Sequence, residues 1–181
     1  LLAPQGTGGF VLKEHMVSKI EPIISGGTGS LSHTEEIPAF MPDRFEPGTP
    51  NLPGIYGLSA ALSYLTSERR TEMLSHELSL TEQLLDGLAD IKIKIIGRKD
   101  IKNRAPVVSI QVEGEDSATV AGRLDEEYSI QTRVGLHCAP NAHKTLGTYP
   151  QGTVRLSPGH ASTREEIILC LKALEEISYG I

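Results

Sequence analysis

The sequence has few cysteines, no long apolar run and no excess of positive charge, and each absence removes a class of protein. Two cysteines, Cys138 and Cys170, in 181 residues do not make a disulfide framework. A reducing, cytoplasmic setting is therefore expected. No stretch approaches the roughly 18 apolar residues that a membrane helix needs. Residues 1–12 lack a basic start followed by an apolar run, so no secretory signal is read there. Lys and Arg number 17 against 23 Asp and Glu, a formal charge of −6, which argues against a nucleic-acid partner and its basic face. The glycine-rich turns at 6–9 and 26–30 are not followed by Gly-Lys-Ser/Thr and do not match G-x-G-x-x-G, so nucleotide motifs are unsupported.

What remains is an ordinary globular composition, with 39% hydrophobic and 22% charged residues. Phe10–Leu12 read as a short buried strand. Residues 22–54 are Gly/Pro-rich and without periodicity, longer than an idle connector. Leu58, Leu62 and Leu65 share one face of a helix over about 55–65. A longer polar helix over 68–89 is expected to bridge two regions, with Met73, Leu74, Leu78, Leu80, Leu84, Leu85 and Leu88 recurring every three or four residues. After Asp90 the period changes. Residues 91–97 alternate strictly, 106–114 place Val108, Ile110 and Val112 on one face, and 129–135 and 152–157 supply two further strands. Asp116 caps a helix carrying Val120, Leu124 and Tyr128. Ser162/Thr163 with Glu165/Glu166 open a final helix through a capping box. A domain boundary is placed at 85/86.

Cys138 lies in TRVGLHCAPNAH (132–143), just past a strand, with Arg133 and His137 near it in sequence. Cationic neighbours lower a thiol pKa toward the reactive thiolate, whereas a free cysteine is more often a small buried hydrophobe. Cys170, inside the final helix, reads as structural. Arg155 sits on a strand between two apolar residues, where a fixed guanidinium offers a fork to a carboxylate. Thr49, in PGTPN, places a hydroxyl on a tight turn leading into a helix, suited to an anion. His137, Cys138, His143 and His160 have no paired C-x-x-C beside them, which leaves a zinc site unsupported.

The order APQGTGG, GGTGS, DRFEPGTPNLPGIYGL, TRVGLHCAP and GTVRLSPG, followed by a capped helix, resembles the C-terminal half of a cysteine desulfurase of the class V aminotransferase family, over residues 1–178. The resemblance implies an α/β fold. Residues 1–85 would be the remainder of a fold-type-I, pyridoxal 5'-phosphate (PLP) binding large domain, and 86–181 a small α+β C-terminal domain carrying the reactive cysteine. It implies that Cys138 attacks the sulfur of cofactor-held L-cysteine, releasing L-alanine and keeping a persulfide for iron–sulfur cluster or sulfur-cofactor assembly. By the same resemblance Arg155 pairs with the substrate carboxylate, Arg133 lies near the reactive loop and His137 orients or activates the nucleophile. Thr49 reaches the PLP phosphate of the neighbouring subunit in a homodimer, and Gly48 and Asn51 shape its turn. A sulfur-acceptor protein is the implied partner.

The family's PLP-binding lysine lies just before the segment matching LLAPQGTGG. Lys13 and Lys19 fall on the wrong side of that motif. The chain is therefore expected to be a piece of a longer protein, inactive by itself. Another class V lyase or aminotransferase, such as one acting on selenocysteine, and a non-catalytic folding or dimerisation fragment are the alternatives. The sixteen or so residues between Cys138 and Arg155 read as a compact loop rather than a long arm.

Overall fold

The computed structural model describes residues 2–180. It divides into two compact units, 1–69 and 70–181. The division falls ahead of the 85/86 boundary expected from the change of periodicity. The physical reason is that Leu80, Leu84, Leu85 and Leu88 of the long helix join the same buried cluster as the strands that follow.

The first unit holds α1 (Glu14–Val17) and α2 (Leu52–Tyr64). Between them the chain is irregular, as its Gly and Pro content dictates, yet it is tied down. The Gly48 N–H donates to the Gly27 carbonyl at 2.8 Å, and Arg44 Nη2 donates to the Ile20 carbonyl at 3.1 Å. Phe10–Leu12 are not a buried strand: Phe10 is 63% and Val11 98% exposed. The first unit contains no other strand among its described residues, and three residues without a ladder partner do not hold an extended pairing. Asn51 caps α2, its side-chain oxygen accepting from the Gly54 N–H at 3.2 Å.

The second unit begins in the first turns of α3 (Ser67–Leu88) and continues with β1 (Ile93–Ile96), β2 (Val108–Val112), α4 (Ser117–Tyr128), β3 (Arg133–Gly135), α5 (Pro140–Leu146), β4 (Thr153–Leu156) and α6 (Arg164–Tyr179). The four strands form one antiparallel sheet in the order β1-β2-β4-β3. Register sorts its two faces. Ile93, Ile95, Val108, Ile110, Val112, Val154 and Leu156 point to the core, where α3, α4 and α6 add Leu84, Leu124 and Leu174. By the two-residue period of strands, Lys94, Ser109, Gln111, Arg133, Thr153 and Arg155 point to the other face.

The helix starts follow local chemistry. Asp116 Oδ2 accepts from the N–H groups of Ala118 and Thr119. Thr163 and Glu166 complete a reciprocal capping box. The strand expected from residue 129 starts only at Arg133, because Ser129 caps α4 in the left-handed region at φ 56°. The segment after Cys138 is not wholly loop either. Pro140 opens α5, where a proline is preorganised for a first helical turn.

Candidate functional site

Arg133 and Arg155 are direct cross-strand partners on β3 and β4. Arg133 is exposed and Arg155 half-buried. The Nε of Arg155 is buried without a hydrogen-bond partner, and no acid forms a salt bridge with either arginine among the described residues. Two guanidinium groups on one face, with no protein carboxylate between them, make an anion-seeking surface. The sheet supplies the rigidity, since each arginine stands on a paired strand rather than on a loop tip.

Beyond β3 the chain turns sharply. His137 and Cys138 both occupy the left-handed region, at φ 50° and 58°, where residues other than glycine are uncommon. The Nε2–H of His137 donates to the Arg133 carbonyl at 3.1 Å, and the Ala139 N–H to the Leu136 carbonyl at 2.8 Å. These bonds close a short turn with Cys138 exposed on it. Cys170 is the opposite case: it is buried in α6, and burial pushes its thiol up to about 11.

His137 titrates below the ordinary value of 6.5. Burial of the ring is the largest cause, and positive charge from Arg155, His143 and Arg133 adds to it. The bond to the Arg133 carbonyl opposes the shift. A neutral imidazole that donates from Nε2 keeps its lone pair on Nδ1. That ring neighbours the thiol-bearing residue in sequence and lies within electrostatic reach of both arginines.

Thr49, Gly48 and Asn51 lie in the first unit, at the entry to α2. Gly48 has φ +82°, and a Cβ there would meet nothing within 4 Å. Gly54 is needed for a different reason, since a Cβ would strike the side chains of Asn51 and Thr7. The Thr49 residue is exposed, and its hydroxyl is a donor of the kind a phosphate takes. The structure thus gathers Arg133, His137, Cys138 and Arg155 in the second unit, and Gly48, Thr49 and Asn51 on one turn of the first.

Sequence reasoning missed one pair. His143 on α5 and Thr148 just beyond it are both buried, with His143 Nδ1 and Thr148 Oγ1 2.7 Å apart. The readable signal was Gly147, the left-handed C-cap that turns the chain back under α5. Among the described residues, no group of three or more His, Cys, Asp or Glu is arranged to hold a metal ion. No helix among them is long and apolar enough to cross a membrane.

Against known proteins, the pattern of the aminotransferase class-V family matches residues 1–169. The chain belongs to that family. A probable cysteine desulfurase of Methanothermobacter thermautotrophicus is 34% identical over 98% of this chain and 45% of its own length. Probable cysteine desulfurase 2 of Mycobacterium leprae is 32% identical over 92% of the chain and 40% of its own length. Among solved structures, the apo cysteine desulfurase of Thermococcus onnurineus superposes with a TM-score of 0.79 at 34% identity, covering 94% of this chain and 42% of that one. Cysteine desulfurase CsdA (S-sulfonic acid) of Escherichia coli gives 0.75 at 25% identity, covering 93% of this chain and 41% of that one. The chain spans less than half the length of these relatives.

Proposed function

We propose that this chain is the C-terminal part of a PLP-dependent cysteine desulfurase, which takes sulfur from L-cysteine and leaves L-alanine. The unit 1–69 is assigned to the large domain and the unit 70–181, whose core takes in Leu80, Leu84 and Leu85, to the small one. One observation carries the reading: the Cys138 thiol is exposed on a turn bonded back to Arg133 of β3, whose cross-strand partner is Arg155, and among the described residues neither arginine forms a salt bridge with an acid. The relatives' names supply the substrate class.

The residues present fit part of such a site. The unpartnered Nε of Arg155 suits the carboxylate of an amino acid, and the Thr49 turn suits one phosphate contact. PLP, when bound, supplies the electron sink for cleaving the bond from carbon to sulfur. Arg155 binds the substrate carboxylate and fixes the direction in which the side chain points. Arg133 adds positive charge to that face and holds His137 through its carbonyl. His137 takes up a proton at Nδ1, which leaves Cys138 as thiolate. The Cys138 sulfur attacks the substrate sulfur. The new S–S bond forms as the C–S bond breaks, the electron pair leaves with carbon, and protonation there gives alanine. Cys138 is left as a persulfide, which passes its outer sulfur to an acceptor protein in iron–sulfur or sulfur-cofactor assembly. We place the enzyme in the cytoplasm as a homodimer, with Thr49 serving the neighbouring subunit's phosphate.

The test uses the natural protein that carries this chain, loaded with PLP. Alanine formation from L-cysteine is expected, lost in Cys138→Ser and reduced in Arg155→Gln. Undiminished alanine formation by Cys138→Ser overturns the reading.

A further inference from the structure

His143 is only 6% exposed, and Thr148 clasps it through three contacts, the longest being the Thr148 hydroxyl donating to the His143 carbonyl at 3.4 Å. The Thr148 N–H donates to the His143 carbonyl at 2.9 Å, and the Thr148 hydroxyl meets the ring Nδ1 at 2.7 Å. The ring so held lies 5.5 Å, centroid to centroid, from that of His137, inclined at 46°. His137 is tied on its other side to the Arg133 carbonyl. The outer ring therefore sits between a backbone carbonyl of β3 and a buried ring of α5.

We propose that His143, clasped by Thr148, is a positioning residue that fixes the ring of His137 and thereby which of its nitrogens accepts a proton beside Cys138. The inference rests on the reading that Cys138 performs the sulfur chemistry, and it assigns to a buried pair a part in that chemistry. Packing alone needs no hydroxyl at position 148, since valine fills the same space. The Thr148 oxygen is useful to the extent that the orientation of the ring matters. A buried imidazole with a hydrogen-bonded nitrogen has one preferred ring plane, and a neighbouring ring at 46° inherits that restriction. The groups facing His137 are Arg155 on β4, Arg133 on β3 and His143 on α5.

The experiment is a pH titration of the natural protein that carries this chain, labelled with nitrogen-15 at histidine, followed by spectra that report the tautomer and charge of each ring. In the unsubstituted chain His137 is expected as the single Nε2–H tautomer, titrating below 6.5. Thr148→Val is expected to mix the tautomers of His137 and, because that weakens the bond to the Arg133 carbonyl which holds the midpoint up, to lower it further by roughly 0.5 pH unit, about a threefold change in the neutral-to-charged ratio. Thr148→Ser restores the hydroxyl and the original behaviour. Should Thr148→Val not fold, His143→Asn takes its place. Asn keeps a donor for Thr148 and removes the ring, with the same mixing expected at His137. An unchanged His137 in a folded Thr148→Val or His143→Asn overturns the proposal. So does a Thr148→Ser chain altered as much as Thr148→Val, because packing rather than the hydroxyl would then be responsible. No turnover enters these spectra, so their failure leaves the desulfurase reading to the alanine assay, and failure of that assay leaves the ring data standing.

Discussion

Arg133 and Arg155 face one another across the β3–β4 ladder, and among the described residues no carboxylate forms a salt bridge with either. Like charges directly opposite on neighbouring strands work against the pairing. A sheet that keeps two of them gives up some stability, and an incoming anion restores it. Arg133→Gln is therefore expected to raise the thermal midpoint of the chain by roughly 1–3 °C at low salt. The gain should vanish near molar salt, where the Debye length shrinks to about 3 Å. Thermal scans at the two salt concentrations check both parts. A lowered midpoint at low salt would show that the pair is not repulsive.

The half-buried Arg155 is expected to behave differently. Its Nε lacks a hydrogen-bond partner among the described residues, and a charged hydrogen bond to a carboxylate is worth roughly 1.5–3 kcal/mol. In the natural PLP-loaded protein, Arg155→Gln should lower kcat/KM for cysteine by about ten- to a hundredfold. Arg155→Lys should recover only part of the loss, because it cannot form the two-pronged contact. Steady-state alanine kinetics decide this, and equal rescue by lysine would contradict a guanidinium fork.

These positions were unequally legible in the sequence. The caps at Asp116 and at Thr163/Glu166 lie within four residues of what they cap, so local chemistry was enough. The face carrying Arg155 followed from alternation alone. Its pairing with Arg133 was hidden, because register between strands twenty residues apart is set by the folded sheet. Phe10–Leu12 misled for the same reason: an apolar triplet is a strand only if another strand is there to receive it. His143 looked like one of several scattered histidines, and its meaning depends on a chain reversal at Gly147 that returns Thr148 to its ring.

Two glycines give opposite predictions for stability. Gly152 has φ +74°, and a Cβ there would collide with the backbone of Gly135 on β3. Gly152→Ala is expected to cost roughly 2–4 kcal/mol and to disturb the Cys138 turn. Gly122 lies inside α4, and a Cβ there meets nothing within 4 Å. Gly122→Ala should stabilise by roughly 0.5–1 kcal/mol. Urea midpoints of the two variants should move in opposite directions.

The depressed titration of His137 has a consequence for stability. The folded state binds its proton less readily than the unfolded chain does. The stabilising contribution is complete above the ordinary midpoint of 6.5 and is lost as the pH falls through the lower folded-state midpoint. His137→Asn should flatten that part of the profile of stability against pH. Urea unfolding of both chains across that window provides the check, and identical profiles would contradict the shift.

The two thiols are expected to separate in a labelling experiment. With iodoacetamide at mildly alkaline pH, the native chain should take one rapid adduct, at Cys138. Cys170, buried and pushed up to about 11, should react only after denaturation. Rapid labelling of Cys170 in the folded chain would contradict its burial.

The most direct measurement of the proposed chemistry follows the sulfur itself. The natural protein loaded with PLP is exposed briefly to L-cysteine, trapped with an alkylating agent, digested and weighed peptide by peptide. The peptide containing Cys138 is expected to carry the mass of one added sulfur atom, cleavable by reductant and absent from the Cys138→Ser protein. Sulfur recovered on another cysteine, or alanine released with the Cys138 peptide unchanged, would contradict the assignment.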